Sequence, residues 1–295
     1  MAVPADSGAS ACSEAAISAL EVWRSRVVEK VFRDMERTTT VQDAGRAAQT
    51  TGERLRGWPP VAAMAALSIG GALALTAVMV AIGLVITSSS LSGPIGSWDA
   101  SLGRWFELQR TATLNTWTDI GSILAGTGTI LLVAGVAVGV LLIRRRWYEA
   151  AFILAALSIE FMTFLATTLI VDRPRPTITP LDPLPVTSSF PSGHAAAAIA
   201  LYVGVAIVIS SPTERLAIRI PVWIAAIVFP IWVGLSRVYR GMHHPSDVLA
   251  SIVLGTGALC FALLAARTGA VIADHRRRHR HAAAPSRPEP SKVRV

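Results

Sequence analysis

The chain has 295 residues, of which 52% are hydrophobic and only 16% charged, with a formal net charge of +8. A soluble domain is excluded by residues 61–87, which carry no charge over more than the ~20 residues that cross a bilayer. Two cysteines, Cys12 near the N-terminus and Cys260 in the last apolar run, exclude a disulfide framework or a cysteine-rich metal site.

In chain order, residues 1–57 are polar and read as a cytoplasmic N-terminal segment without a basic-then-apolar leader, so the first span is expected to target the chain as well. Within it, Ile17, Leu20, Val27, Val31 and Met35 recur at helical spacing among Arg, Lys and Glu. That pattern fits either an amphipathic helix on the inner leaflet or a solvated helix. Residues 58–267 then read as an all-α membrane domain, a polytopic bundle of six transmembrane helices over about 61–87, 119–143, 149–171, 194–210, 220–236 and 246–266. The loop 88–118 holds Trp98, Trp105, Phe106 and Trp117 with Asp99, Arg104 and Glu107. A short helix at the outer interface is expected there, serving as an anchor or as a wall of a lipid-entry site. Residues 268–295 read as a basic, disordered cytoplasmic tail attracted to anionic headgroups. Its His275, His279 and His281 belong to that polybasic composition, and nucleic-acid binding is not expected.

Charge sets the orientation. With both termini inside, the inner segments hold all of the 27 Lys and Arg residues except Arg104, Arg110, Arg173, Arg175, Arg237 and Arg240. The positive-inside rule therefore favours cytoplasmic N- and C-termini, and the composition suggests a bacterial plasma membrane. Three short clusters lie at the outer ends of apolar runs and take in three of the six outer arginines: Arg173-Pro174-Arg175-Pro176, Pro191-Ser192-Gly193-His194, and Ser236-Arg237 with His243 and Asp247. Such residues are costly near lipid, so their collection on one face points to chemistry there.

Each group has a use. Ser192 is placed to cap the following helix, and Gly193 lets the backbone approach a ligand closely. The helix N-terminus favours an oxyanion such as phosphate. Arg175 and Arg237 supply planar forks for phosphate oxygens. Two histidines suit a two-step displacement, one attacking phosphorus and the other protonating the departing oxygen and then activating water. Asp247, four residues after His243, is expected to hold one of its ring nitrogens and aim the other at phosphorus. That makes His243 the nucleophile and His194 the general acid. No cluster has metal-ligand spacing, so chemistry with neither metal nor cofactor is expected.

These residues resemble the type 2 phosphatidic acid phosphatase (PAP2) family, membrane relatives of vanadium haloperoxidases, whose signatures are Lys-x6-Arg-Pro, Pro-Ser-Gly-His and Ser-Arg-x5-His-x3-Asp. The second is complete at 191–194 and the third at Ser236, Arg237, His243 and Asp247; Arg175-Pro176 ends the first, with Thr168 at the lysine position. The resemblance implies catalytic His243, His194 and Asp247, with Arg175, Arg237, Ser192 and the Gly193 amide holding the phosphoryl group. Arg173 either replaces the missing lysine or faces headgroups. A membrane phosphatase acting on a lipid phosphate or lipid pyrophosphate at the outer leaflet is expected. The alternatives are a lipid phosphotransferase using the same histidine, or a non-catalytic lipid-phosphate binder or transporter. Headgroup and oligomeric state are not read from the sequence.

Overall fold

A computed structural model describes residues 39–88 and 92–282, and within them every regular element is a helix. They are α1 (Thr39–Arg54), α2 (Pro60–Thr87), α3 (Ser92–Leu108), α4 (Ala112–Leu124), α5 (Thr127–Ile143), α6 (Trp147–Ile170), α7 (Gly193–Ser210), α8 (Leu216–Tyr239) and α9 (Pro245–Ala282). The possible amphipathic helix at 13–37 lies outside the described residues.

Five of these helices are long and apolar enough to cross a membrane, namely α2, α6, α7, α8 and the stretch Pro245–Arg280 of α9. The expected span at 119–143 is instead a pair, α4 and α5, which meet at a 48° bend and make a sixth candidate span if taken together. The break falls at Ala125-Gly126, where the helix ladder ends and Gly126 starts the next helix in an extended conformation. In α7 the turns over Ile199–Val203 widen to a π-helix, a local irregularity often found beside functional sites. A helix does form within 88–118, as α3.

One expectation is corrected at the C-terminal end. The last span was expected to end near 266 and to give way to a disordered tail from 268. Instead α9 runs unbroken to Ala282. Its continuation is packed: Ile272 is buried, and Gly269 lies where a side chain would strike Met64 of α2. Past Arg267, Val271 packs against α1, where a Cβ on Gly52 would lie 2.8 Å from it.

Close approach holds the bundle together, as expected where lipid gives helices little hydrophobic reason to associate. A Cβ on Gly71 of α2 would lie 2.6 Å from Phe261 of α9, and one on Gly257 of α9 would lie 2.7 Å from Leu75 of α2. A core of Met79, Phe152, Ile153, Phe190 and Leu254 fills the space among α2, α6, α9 and the chain leading into α7. Large apolar side chains such as Leu73, Leu131 and Leu169 face outward, as they do on a surface that meets lipid. Glu160 is buried midway along α6. The C-terminal ends of α6 and α8 and the N-terminal ends of α7 and α9 lie together at one end of the bundle, where loops 171–192 and 240–244 meet.

Candidate active site

Four arginines tie those loops into one body. Arg110 donates to the carbonyls of Thr179 (2.7 Å) and Tyr239 (3.0 Å), and Leu181 N–H donates to Arg240 O at 3.0 Å. Arg175 donates through Nη1 to Met242 O at 2.6 Å and through Nη2 to the carbonyls of Thr187 and Ser188, both at 3.3 Å. It therefore staples residues 187–188 to the chain beside His243. Arg240 and Arg237 share Asp182, Arg237 at 3.1 Å and Arg240 closer still. Burial works against the Asp182 carboxylate, yet its hydrogen bonds and charge contacts with Arg240 and Arg237 outweigh that and hold its pKa below the usual value.

His243 sits at the centre of this body and is 5% exposed. Its Nδ1 lies 2.7 Å from Ser189 O. A carbonyl can only accept, so Nδ1 carries the proton and the Nε2 lone pair is left free. Burial pushes the imidazole well below its ordinary pKa; the charges of Arg237, Arg175 and His194 push the same way, while the Ser189 carbonyl opposes them. The ring is therefore neutral and nucleophilic at physiological pH.

Asp247 does not reach His243 as the i, i+4 spacing predicts. Its Oδ2 lies 3.9 Å from His243 Nδ1, too far for a hydrogen bond. Instead Oδ2 accepts from His244 N–H at 2.8 Å, and Oδ1 pairs with Arg173. Asp247 begins α9, so its carboxylate turns back over the first turn to a free backbone donor, as an acid at a helix start does. The ring-orienting acceptor is thus a main-chain carbonyl, which sequence reasoning had no way to single out.

Arg173 also departs from both readings of it. It is 7% exposed, lies between Asp99 Oδ2 at 2.7 Å and Asp247, and donates to Ser246 Oγ at 2.8 Å. Asp99 closes the cluster by accepting from Ser246 N–H at 2.9 Å. Two carboxylates neutralise Arg173, so it neither faces headgroups nor offers a spare charge in place of the lysine. Asp99 and Asp182 were missed as partners because no motif spacing marks them.

Ser192 does not cap α7, contrary to expectation: its hydroxyl makes no capping bond and is buried without a partner. Gly193 serves packing, since a Cβ there would lie 2.9 Å from the ring of Phe164. Thr168 is buried, and its hydroxyl donates back to Leu165 O at 2.9 Å, so it adds no charge at the lysine position. Arg237 donates to Ser122 Oγ at 3.0 Å, while its Nε is buried with no partner, as is Arg175 Nε. Three buried polar groups without partners, Ser192 Oγ, Arg175 Nε and Arg237 Nε, thus flank the two histidine motifs. Such groups are costly unless a ligand satisfies them, and these three suit an oxyanion. His194 stands at the start of α7, half-buried, with no hydrogen-bond partner among the described residues. Among those residues, no group of three or more His, Cys, Asp or Glu is placed to hold a metal ion.

An apolar cleft of about 480 Å³ adjoins this body, between α8 and α9, with α7 behind and α3 above. Its upper end is formed by Ala195, next to His194, and Pro245, two residues after His243; Trp98 and Phe106 of α3 line the same cleft.

Comparison with known proteins agrees with the motifs. Residues 147–269 match the family model of the PAP2 superfamily. This stretch resembles the PAP2 superfamily. It holds the buried histidine, both arginine forks and the unpartnered donors, and the comparisons add relatives of known description. The chain is 36% identical over 78 residues to an undecaprenyl-diphosphatase of Sulfolobus acidocaldarius, covering 26% of this chain and 32% of that protein. It is 27% identical over 174 residues to phosphatidylglycerophosphatase B of Bacillus subtilis, covering 58% of this chain and 85% of that one. A lipid A 1-phosphatase of Rhizobium johnstonii is 37% identical over 82 residues, covering 28% of this chain and 30% of that one. The chain thus spans about a third of the length of two of these relatives. The crystal structure of a transmembrane PAP2-type phosphatidylglycerolphosphate phosphatase from Bacillus subtilis superposes with a TM-score of 0.55 at 23% identity, covering 73% of this chain and 98% of that one. At that identity the likeness concerns the fold alone.

Proposed function

We propose that this chain is an integral membrane phosphatase that hydrolyses a lipid phosphomonoester or pyrophosphate at the outer leaflet through a phosphohistidine on His243. The observation that carries the reading is the buried, neutral His243, its Nδ1 proton fixed on Ser189 O, set among buried arginine donors that lack partners.

In the first step the His243 Nε2 lone pair attacks phosphorus. The bond from phosphorus to the lipid oxygen breaks, and His194 gives that oxygen its proton. Arg175, Arg237, Ser192 and the Gly193 amide hold the phosphoryl oxygens. The positive charge that develops on His243 is met by the Ser189 carbonyl and, through space, by Asp247. In the second step His194 takes a proton from water, the oxygen attacks phosphorus, and the phosphorus–nitrogen bond breaks to release phosphate. Arg173 and Asp99 hold Asp247 and the start of α9 in place. The residues supply nucleophile, acid and countercharge themselves, and the reading calls for no metal or cofactor.

The apolar cleft supports a lipid rather than a soluble substrate. It follows α8 from Ala226 to Val238, about 18 Å at 1.5 Å per residue, close to half of a ~30 Å hydrocarbon core. The distribution of Lys and Arg supports cytoplasmic termini and an outward-facing site. Named relatives include an undecaprenyl-diphosphatase and phosphatidylglycerophosphatase B, which makes polyprenyl pyrophosphates and phosphatidylglycerol phosphate substrates to try beside phosphatidic acid.

The direct test is phosphate release by the purified chain in detergent with EDTA, across a panel of those three lipids; no release from any of them would sink the reading. Filling the cleft by Leu235→Trp is expected to raise KM for the long-chain lipid about tenfold, while kcat/KM for a water-soluble aryl phosphate stays unchanged. Thr168→Lys is expected to raise kcat/KM about tenfold, because a cation there adds one charge-assisted contact to the phosphoryl group. Steady-state kinetics on matched substrates checks both.

A further inference from the structure

A second polar site lies at the other end of α9. His275, about 45 Å along the helix from Pro245, begins a stretch that with the turn after α1 encloses a shallow pocket of about 500 Å³. The pocket is lined by Arg56, Gly57, His275, Arg276, His279 and Arg280, with no carboxylate among them. Arg276 donates to Gly57 O at 3.1 Å, which ties the two chain segments together and fixes the pocket's floor. His275 Nε2 and His279 Nε2 lie 3.1 Å apart, so the two rings turn toward one another across one turn of helix. Asp274, beside His275 in sequence, is already paired with Arg278 at 2.6 Å.

Bringing three guanidinium groups and two imidazoles around one hollow is unfavourable on its own, since like charges one helical turn apart repel. A metal ion on the histidine pair is disfavoured by the same arginines. An anion reverses the sign of every one of these interactions. The pocket also adjoins the first candidate span: Trp58 and Pro59-Pro60 follow it directly, at the entry to α2.

We propose that this pocket binds the phosphate group of an anionic phospholipid in the leaflet at the α9 C-terminal end, separate from the histidine site. Arg56 and Arg280 grip the phosphate from two chain segments, and the His275–His279 pair donates a further hydrogen bond. The lipid thereby pins the extended end of α9 to the start of α2. The proposal does not depend on the phosphatase reading.

Its test is titration of the full chain in detergent with dihexanoyl phosphatidylglycerol or dihexanoyl phosphatidylcholine, followed by tryptophan fluorescence, for which Trp58 adjoins the pocket. The wild type is expected to bind the anionic lipid preferentially. Arg56→Ala with Arg280→Ala is expected to weaken that binding about tenfold or more, with the melting temperature unchanged. Arg56→Lys with Arg280→Lys, which keeps the charge, is expected to keep the preference and guards against a folding defect. Arg237→Ala, at the other site, is expected to leave it intact. Competition by inorganic phosphate would identify the bare anion as sufficient; preference without competition would assign the site to the intact headgroup. Equal binding of both lipids, or an alanine pair that binds like wild type, would overturn the proposal.

Discussion

Replacing His243 by alanine is expected to abolish phosphate release, lowering kcat at least about a thousandfold while the chain still folds. On the proposed reading alanine removes the atom that attacks phosphorus, and among the described residues no other buried imidazole has its Nδ1 on a carbonyl as His243 has on Ser189. Released phosphate, measured with a labelled acceptor alcohol present, reads the variant and also separates hydrolysis from transfer. Full activity in His243→Ala would rule out the phosphohistidine. The pH profile carries a second mark of the same group. Because burial and neighbouring cationic groups push the His243 pKa well below its ordinary 6.5, its imidazole stays neutral as pH falls through that value. The acid limb contributed by this residue therefore lies well below 6.5. Stability follows the opposite course. Below 6.5 the unfolded chain takes up a proton that the folded site refuses, so this group's contribution to stability is complete above 6.5 and is lost as pH drops toward the lowered pKa.

Arg173→Ala is expected to be the most destabilising single change at the site, by about 3–5 kcal/mol, because it leaves Asp99 and Asp247 buried with no countercharge. Thermal unfolding in detergent measures it. The companion variant Asp99→Asn is expected to cost less, since Arg173 keeps Asp247, and adding it to Arg173→Ala is expected to recover part of the loss. Additive effects would mean that the two residues do not act as a pair. Arg173→Lys is expected to fall between, because an ammonium cannot place two parallel donors on two separate carboxylates and Ser246 at once. Loss of activity in these variants runs through Asp247 and the start of α9, so it is expected to follow the loss of stability.

Much of the architecture was legible because a bilayer imposes a coarse and strict rule. Any run of about 20 residues as apolar as 61–87 declares itself, and Pro-Ser-Gly-His and Ser-Arg-x5-His-x3-Asp are short, local and fixed in spacing. Helix ends were less legible. The bend at Ala125-Gly126 and the run of α9 to Ala282 depend on what each helix packs against, and no local propensity carries that information.

Sequence by itself determined the all-helical membrane class, the two histidines, the arginine forks and the uneven spread of positive charge, since each follows from residue type and spacing. Tertiary structure alone decided who touches whom. The carbonyl of Ser189 displaced Asp247 as the partner of His243, because a main-chain oxygen has no residue identity to read. Asp99 and Asp182 became countercharges to arginines 74 and 55 positions away, since ion pairs depend on distance in space and leave no periodic trace along the chain. Arg56 met Arg276 and Arg280 for the same reason: folding carries α9 back past the start of α2, and only then do charges more than 200 residues apart share one pocket.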